Sequence, residues 1–197
     1  MNRIIIAAML TGFVTAPAFA ADAGAFIAVD LGAGSYSDAA VTGGNGESYD
    51  NPASVSIAGG YHFTSNLGVE AAYTVFGDST VEYPNATATL KTSVFQVAAV
   101  GTYSFNDKFA VFGKLGAASI SAEESGTSAA ASLSGSANTT NFMFGLGGQY
   151  NFNQHWSIRL QYEDFGKAKY TPYVFGVAQP EAEYGVSVFS VGGVYNF

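Results

Sequence analysis

Tyr-x-Phe triplets at Tyr61–Phe63, Tyr103–Phe105, Tyr150–Phe152 and Tyr195–Phe197 punctuate this 197-residue chain, spaced 42, 47 and 45 residues apart. A polar three-residue segment follows each of the first three: Thr64-Ser65-Asn66, Asn106-Asp107-Lys108 and Asn153-Gln154-His155. An apolar residue then opens the next segment. A repeat of strand, tight turn, strand and longer connection is an up-and-down β-meander. Aromatic rings set beside every short turn match a membrane–water boundary, where ring bodies meet lipid and polar tips meet headgroups.

The walls of the meander read as eight strands, at about 24–36, 53–63, 67–76, 92–105, 109–121, 141–152, 156–166 and 185–197. Each alternates large apolar residues with small or polar ones, and each is long enough for the roughly 9–11 tilted residues of a membrane strand. The steps from Phe63 to Leu67, Phe105 to Phe109 and Phe152 to Trp156 are all four residues, so one face runs unbroken through each turn. No sustained 3.6-residue apolar period appears, and 24 glycines would be costly in helices. The chain therefore reads as all-β.

Alternation alone does not say which face is outside, because a soluble barrel has the same period with its apolar set inward. The opposite face carries Ser, Ala, Gly and scattered charges, too small and too uncharged for a surface in water. Only 11% of residues are charged, against roughly 25–35% for a soluble surface. The fold class is therefore an eight-stranded antiparallel up-and-down transmembrane β-barrel with its apolar face in lipid.

Residues 1–20 read as a cleaved secretory signal, leaving 21–197 as the barrel domain. Arg3 gives a positive start, 4–14 an apolar run, and Ala18-Phe19-Ala20 a small-x-small cleavage site. The run is too short to span about 30 Å of hydrocarbon, and Pro17 breaks it. The absence of cysteine excludes disulfides, a Cys-linked lipid anchor and Cys-based metal sites. With only two histidines, no metal or cofactor site is expected. Without Arg3, six Lys/Arg face fifteen Asp/Glu, which argues against nucleic acid as a partner.

The alternating terminal segment Phe189-x-Val191-x-Gly193-x-Tyr195-x-Phe197 resembles the C-terminal signal read by the outer-membrane assembly machinery. Gly147-Gly148-Gln149-Tyr150-Asn151-Phe152, together with the run from Trp156 to Glu163, resembles strands six and seven of the outer-membrane protein A transmembrane domain and of opacity-type surface barrels. Phe112-Gly113-Lys114-Leu115-Gly116 is similar to their fifth strand. The resemblance covers the whole mature chain and implies a Gram-negative outer-membrane address. It also implies a passage through periplasmic chaperones and the assembly machinery, with outer-membrane lipids and lipopolysaccharide as surroundings. That family hosts adhesins, structural barrels, pores and a few lipid-modifying enzymes. Outer-membrane protein A continues into a periplasmic wall-binding domain, whereas this sequence ends at Phe197, so wall tethering in cis is not expected.

Counting phase from the apolar reference residues points Glu70, Lys114, Arg159 and Glu163 inward, with Asp30, Gln96 and Gln149 on the same face. Eight strands leave an interior barely wide enough for side chains, so these opposite charges should pair. They read either as a packed polar core fixing register or as a salt-bridge gate in a narrow water path. His155-Trp156-Ser157 contains the His-x-Ser spacing of lipid A deacylases. His155 falls in a periplasmic turn and Ser157 faces inward, so the pair reads as turn and wall residues. The four long connections, about 37–51, 77–91, 122–140 and 167–184, form the opposite end. Glu47, Asp50, Asp78, Glu82, Glu123, Glu124, Glu181 and Glu183 make that end acidic. The third, a Ser/Ala/Gly tract, reads as mobile or as a loosely paired extension of its hairpin. Tyr170, Pro172, Tyr173, Phe175 and Pro180 make the fourth the best contact surface, for host or cell-surface ligands. The leading functional expectation is a non-enzymatic structural and surface-interaction barrel; the alternative is a narrow gated pore.

Overall fold

A computed structural model describes residues 23–37, 51–83, 86–128, 132–170, 173–174, 177–178 and 182–197. The expected export segment lies outside these residues, as do most of the first long connection and parts of the fourth. Eleven strands follow in order: β1 (Gly24–Ser37), β2 (Ala53–His62), β3 (Leu67–Phe76), β4 (Ser79–Tyr83), β5 (Ala86–Ser104), β6 (Phe109–Ser128), β7 (Ser132–Asn151), β8 (Trp156–Tyr170), β9 (Tyr173–Val174), β10 (Val177–Ala178) and β11 (Ala182–Asn196). Eight of them close a ring through antiparallel β3–β2–β1–β11–β8–β7–β6–β5 pairing and a final β3–β5 contact. Closure leaves no free edge in the wall, which lipid demands because nothing there would satisfy an unpaired backbone group.

The three short turns share one device. Phe63, Phe105 and Phe152 each donate a backbone N–H to the carbonyl four residues on, at 2.9 Å. The first turn residue then accepts two backbone N–H groups on its side-chain oxygen: Thr64 Oγ1 at 3.1 and 3.2 Å, Asn106 Oδ1 at 2.9 Å twice, and Asn153 Oδ1 at 2.8 and 2.9 Å. This is the local hydrogen bonding that makes Thr and Asn turn residues. The flanking rings meet edge-to-face in pairs, with Tyr103–Phe105 and Tyr150–Phe152 centroids both 5.2 Å apart.

The wall is inverted relative to a soluble protein. Ile57 is 63% exposed and Phe142 68%, whereas Glu163 and Lys114 are 1% exposed. A continuous apolar exterior of this size marks contact with lipid.

Where the connections are described, they carry more strand than the sequence suggests. β4 pairs with Ala86–Leu90 of β5, β6 pairs with β7 out to Thr127↔Ser132, and β8 reaches Tyr170 opposite Ala182. Most of 77–91 and 122–140 is thus strand rather than loop, and the Ser/Ala/Gly tract forms the paired extension of its hairpin. Extending a ladder already nucleated by the wall needs no apolar alternation, only backbone partners. One irregularity breaks β8. The register with β11 shifts between Gly185 and Ser187, and Gly166 takes φ 77°, a left-handed value that suits glycine in a bulge. Beyond it the β7–β8 backbone ladder, which ends at Phe144↔Asp164, gives way to side-chain bridges: Asn141 Nδ2 donates to Phe165 O at 3.2 Å and to Lys167 O at 2.7 Å.

Candidate functional site

The barrel interior has three layers. Nearest the short turns, Phe26 stacks on His62 at 4.8 Å and packs with Ala28, Ala58, Ala72 and Val194. Mid-barrel holds a connected ion network. Toward the long hairpins lies an apolar plug of Phe76, Val94, Ile120, Met143, Phe165 and Val186, with smaller neighbours.

The network runs across five strands. Arg159 grips Asp30 with both ends of its fork, Nε to Oδ1 and Nη2 to Oδ2, each at 2.7 Å. Its Nη1 donates to Glu70 Oε2 at 2.6 Å. Lys114 Nζ donates to Glu70 Oε1 at 2.6 Å, Gln161 Oε1 at 2.7 Å and Glu163 Oε1 at 3.0 Å. Gln96 Nε2 reaches Glu163 Oε1 at 2.9 Å, and Gln161 Nε2 reaches Glu163 Oε2 at 3.2 Å. Short charge-assisted bonds of this kind offset the heavy cost of burying ions only when nearly every donor and acceptor is matched. Backbone space is part of the fit: a side chain at Gly192 would collide with the Asp30 carboxylate.

Glu70, Lys114, Arg159 and Glu163 are thus brought into direct contact, with Asp30 and Gln96 beside them. Gln149 is not part of the cluster; it donates to Asn151 Oδ1 at 2.9 Å, one layer nearer the turns. Gln161 joins the cluster as well; the alternation Arg159-x-Gln161-x-Glu163 carries the signal for it in the sequence. The inner face is also not small and polar throughout. Its outer half is largely apolar, with Ser54, Thr74 and Thr92 as buried polar exceptions, and Phe76, Ile120, Met143 and Phe165 sit in inward phase on their strands.

His155 and Ser157 turn their hydrogen bonds elsewhere. His155 Nδ1 meets Asn196 O at 3.0 Å in an exposed turn, while buried Ser157 donates to Asn151 Oδ1 at 2.8 Å. In the terminal segment, Phe189, Val191 and Phe197 point to the apolar exterior, and β11 closes the ring against β1.

A closed ring of eight antiparallel strands, apolar outside and ionic within, defines a transmembrane barrel of the Gram-negative outer membrane. The chain belongs to the outer membrane protein beta-barrel domain family, whose model matches residues 6–197. No curated protein sequence matches it significantly. Among solved structures it is similar to Ail, the attachment invasion locus protein of Yersinia pestis, with 18% identity over 89% of this chain and 99% of that one and a TM-score of 0.58. It is similar to Neisserial surface protein A at 14% identity, 89% and 99% coverage and a TM-score of 0.59. It is also similar to OprG of Pseudomonas aeruginosa at 17% identity, 89% and 97% coverage and a TM-score of 0.61. At these identities the likeness concerns the fold.

Proposed function

We propose that this protein is a non-enzymatic structural and surface-interaction barrel that works through its outer hairpins. The observation that carries this reading is the occupied lumen, where a connected ion network lies beneath a largely apolar plug. Sealing the interior leaves the outer face as the working surface. His155 and Ser157 spend their hydrogen bonds on Asn196 and Asn151 rather than on each other, so that pair does not form the nucleophile and base a hydrolase would need.

The charge of that face indicates its partners. Ail has been crystallised with a heparin analogue, sucrose octasulfate, a polyanion. Here three outer lysines are already engaged with carboxylates: Lys91 with Asp78 at 3.7 Å, and Lys167 and Lys169 with Glu183 at 3.8 and 2.6 Å. The hydrogen bond and charge of Lys169 hold the Glu183 carboxyl below the usual carboxylate range. An acidic rim with its lysines committed suits cationic ligands of a host or neighbouring cell, and lipopolysaccharide bridged by divalent cations, rather than sulfated polyanions. The proposal includes delivery by periplasmic chaperones and insertion by the assembly machinery acting on the segment Phe189, Val191, Tyr195, Phe197. Deleting residues 171–181 and measuring binding of whole cells to matrix and to host cells tests it. Binding should fall, while folding and surface display are retained; undiminished binding would refute the role of that hairpin.

A narrow gated pore is the second reading. Lys114 sits between Glu70 and Glu163, bonded to both, the arrangement a swinging gate would need. Conduction would also require the apolar plug to part.

A further inference from the structure

The apolar wall is not evenly filled. On the outward phase of β7, Leu146 and Tyr150 flank Gly148, which stands between Val111 of β6 and Leu160 of β8 in the ladder. The fold does not require glycine there. Among the described glycines only Gly166 has a positive φ, and a Cβ at position 148 would meet only Ala110 O, at an ordinary 3.9 Å. Its inward neighbour differs: a Cβ at Gly147 would collide with the Phe112 ring. Gly147 thus serves the packed lumen, whereas Gly148 leaves backbone bare on the lipid side.

That bare stretch floors a groove of about 570 Å³. Phe109 and Tyr150, whose ring centroids lie 4.9 Å apart, wall it toward the short turns. Ile158, Leu160 and Val191 carry it across β8 to β11. Three inter-strand steps of about 4.8 Å make it roughly 14 Å long. Its near end reaches Asn106 of the second short turn.

The same turn supplies a polar end. Asn106 Oδ1 accepts the backbone N–H groups of Lys108 and Phe109, each at 2.9 Å, so Nδ2 remains as a donor. Lys108 is the only Lys or Arg in the three short turns. It is exposed, and among the described residues it makes no ion pair, even with Asp107 beside it. A cation and an amide donor at the head of an apolar groove match an amphiphile with an anionic head and a hydrocarbon tail. The short turns of such barrels face the periplasm, where the leaflet is phospholipid.

We propose that this groove is a binding site for one phospholipid of the periplasmic leaflet, with an acyl chain laid over Gly148 and the phosphate on Lys108 and Asn106. A chain seated on bare backbone between rings keeps more close contacts than one lying on the convex wall, so this lipid exchanges more slowly than its neighbours. The site lies at the opposite end from the outer hairpins and is independent of what they bind.

The test uses full-length mature protein in detergent micelles, titrated with dioleoylphosphatidylglycerol and read by native mass spectrometry. Dioleoylglycerol, with the same tails and no phosphate, is run alongside. One phosphatidylglycerol should stay bound at concentrations where further adducts are absent. Gly148→Leu, which fills the floor, should weaken that binding at least about tenfold. Gly59→Leu adds the same side chain to the outward face of β2, across the ring, where a Cβ again has an ordinary 3.8 Å contact; it should leave binding unchanged. Lys108→Gln, in an exposed turn, should weaken phosphatidylglycerol binding about fivefold and leave dioleoylglycerol unaffected. Circular dichroism verifies that each variant keeps its barrel. Equal binding by Gly148→Leu and wild type, or equal weakening by Gly59→Leu, would overturn the proposal, as would phosphatidylglycerol binding indifferent to Lys108→Gln. So would a dimer of the chain that excludes the lipid and is lost in Gly148→Leu, because the groove would then belong to a second copy.

Discussion

Lys114→Met is the most searching perturbation of the interior. Methionine matches the length and apolar stem of lysine, so the loss concerns charge rather than volume. Three charge-assisted bonds go, to Glu70, Gln161 and Glu163. At roughly 1.5–3 kcal/mol each they would sum to more than one truncation usually costs. Glu70 keeps its bond to Arg159, however, and the vacated amide of Gln161 can turn. Removing one partner of a buried pair costs about 3–5 kcal/mol, chiefly through the charge left behind, and that range is the expectation here. Lys114→Met/Glu163→Gln restores the charge total of the native cluster, so it should lose at least about 1 kcal/mol less than the sum of the single changes. Urea unfolding from lipid vesicles measures both, with Trp156, the only tryptophan, reporting at a membrane boundary. A single mutant within about 1 kcal/mol of wild type would refute the account of an ion-paired core. So would strict additivity in the double mutant.

Phe165→Ala should cost about 3–5 kcal/mol in the same assay, because Phe165 is fully buried in the plug against Phe76. Gly166→Ala should cost about 1–2 kcal/mol from the left-handed backbone alone. It should also speed amide exchange at the Asn141–Lys167 seam, since the added carbon would press on Asn141 Cβ at 3.0 Å. In planar bilayers the native protein should show no steady conductance; Phe76→Ala/Phe165→Ala combined with Lys114→Met should conduct. A native trace with stable open levels would favour the pore.

Much of this architecture is legible in the sequence because a barrel is a periodic object. Tyr-x-Phe triplets mark one rim, four-residue steps carry the face through each turn, and the phase then aims Glu70, Lys114, Arg159 and Glu163 at one another. What escapes is whatever breaks or exceeds the period. The bulge at Gly166 reverses the inward phase within β8, from Phe165 to Ala168, and a single glycine among 24 gives no warning. The plug escapes differently: Ile120 and Met143 are in inward phase, but alternation ranks faces by their average and hides a change from ionic to apolar halfway up. The β4–β5 extension escapes, and the β6–β7 one is legible only as one of two alternatives, because Ser, Thr, Ala and Gly pair through backbone and leave no side-chain pattern to read. Pairing partners across the lumen, such as Gln96 with Glu163, depend on stagger around the ring and belong to the closed structure alone.

The central claim is the inverted wall, and the lack of native cysteine makes it directly accessible. Single cysteines at Val111 and Leu160, labelled with a fluorophore in protein refolded into vesicles, are exposed to a quencher on lipid acyl chains and to aqueous iodide. Lipid-borne quencher should extinguish both labels while iodide leaves them bright. Iodide quenching at either position would mean that this face meets water, contradicting the orientation on which the rest depends.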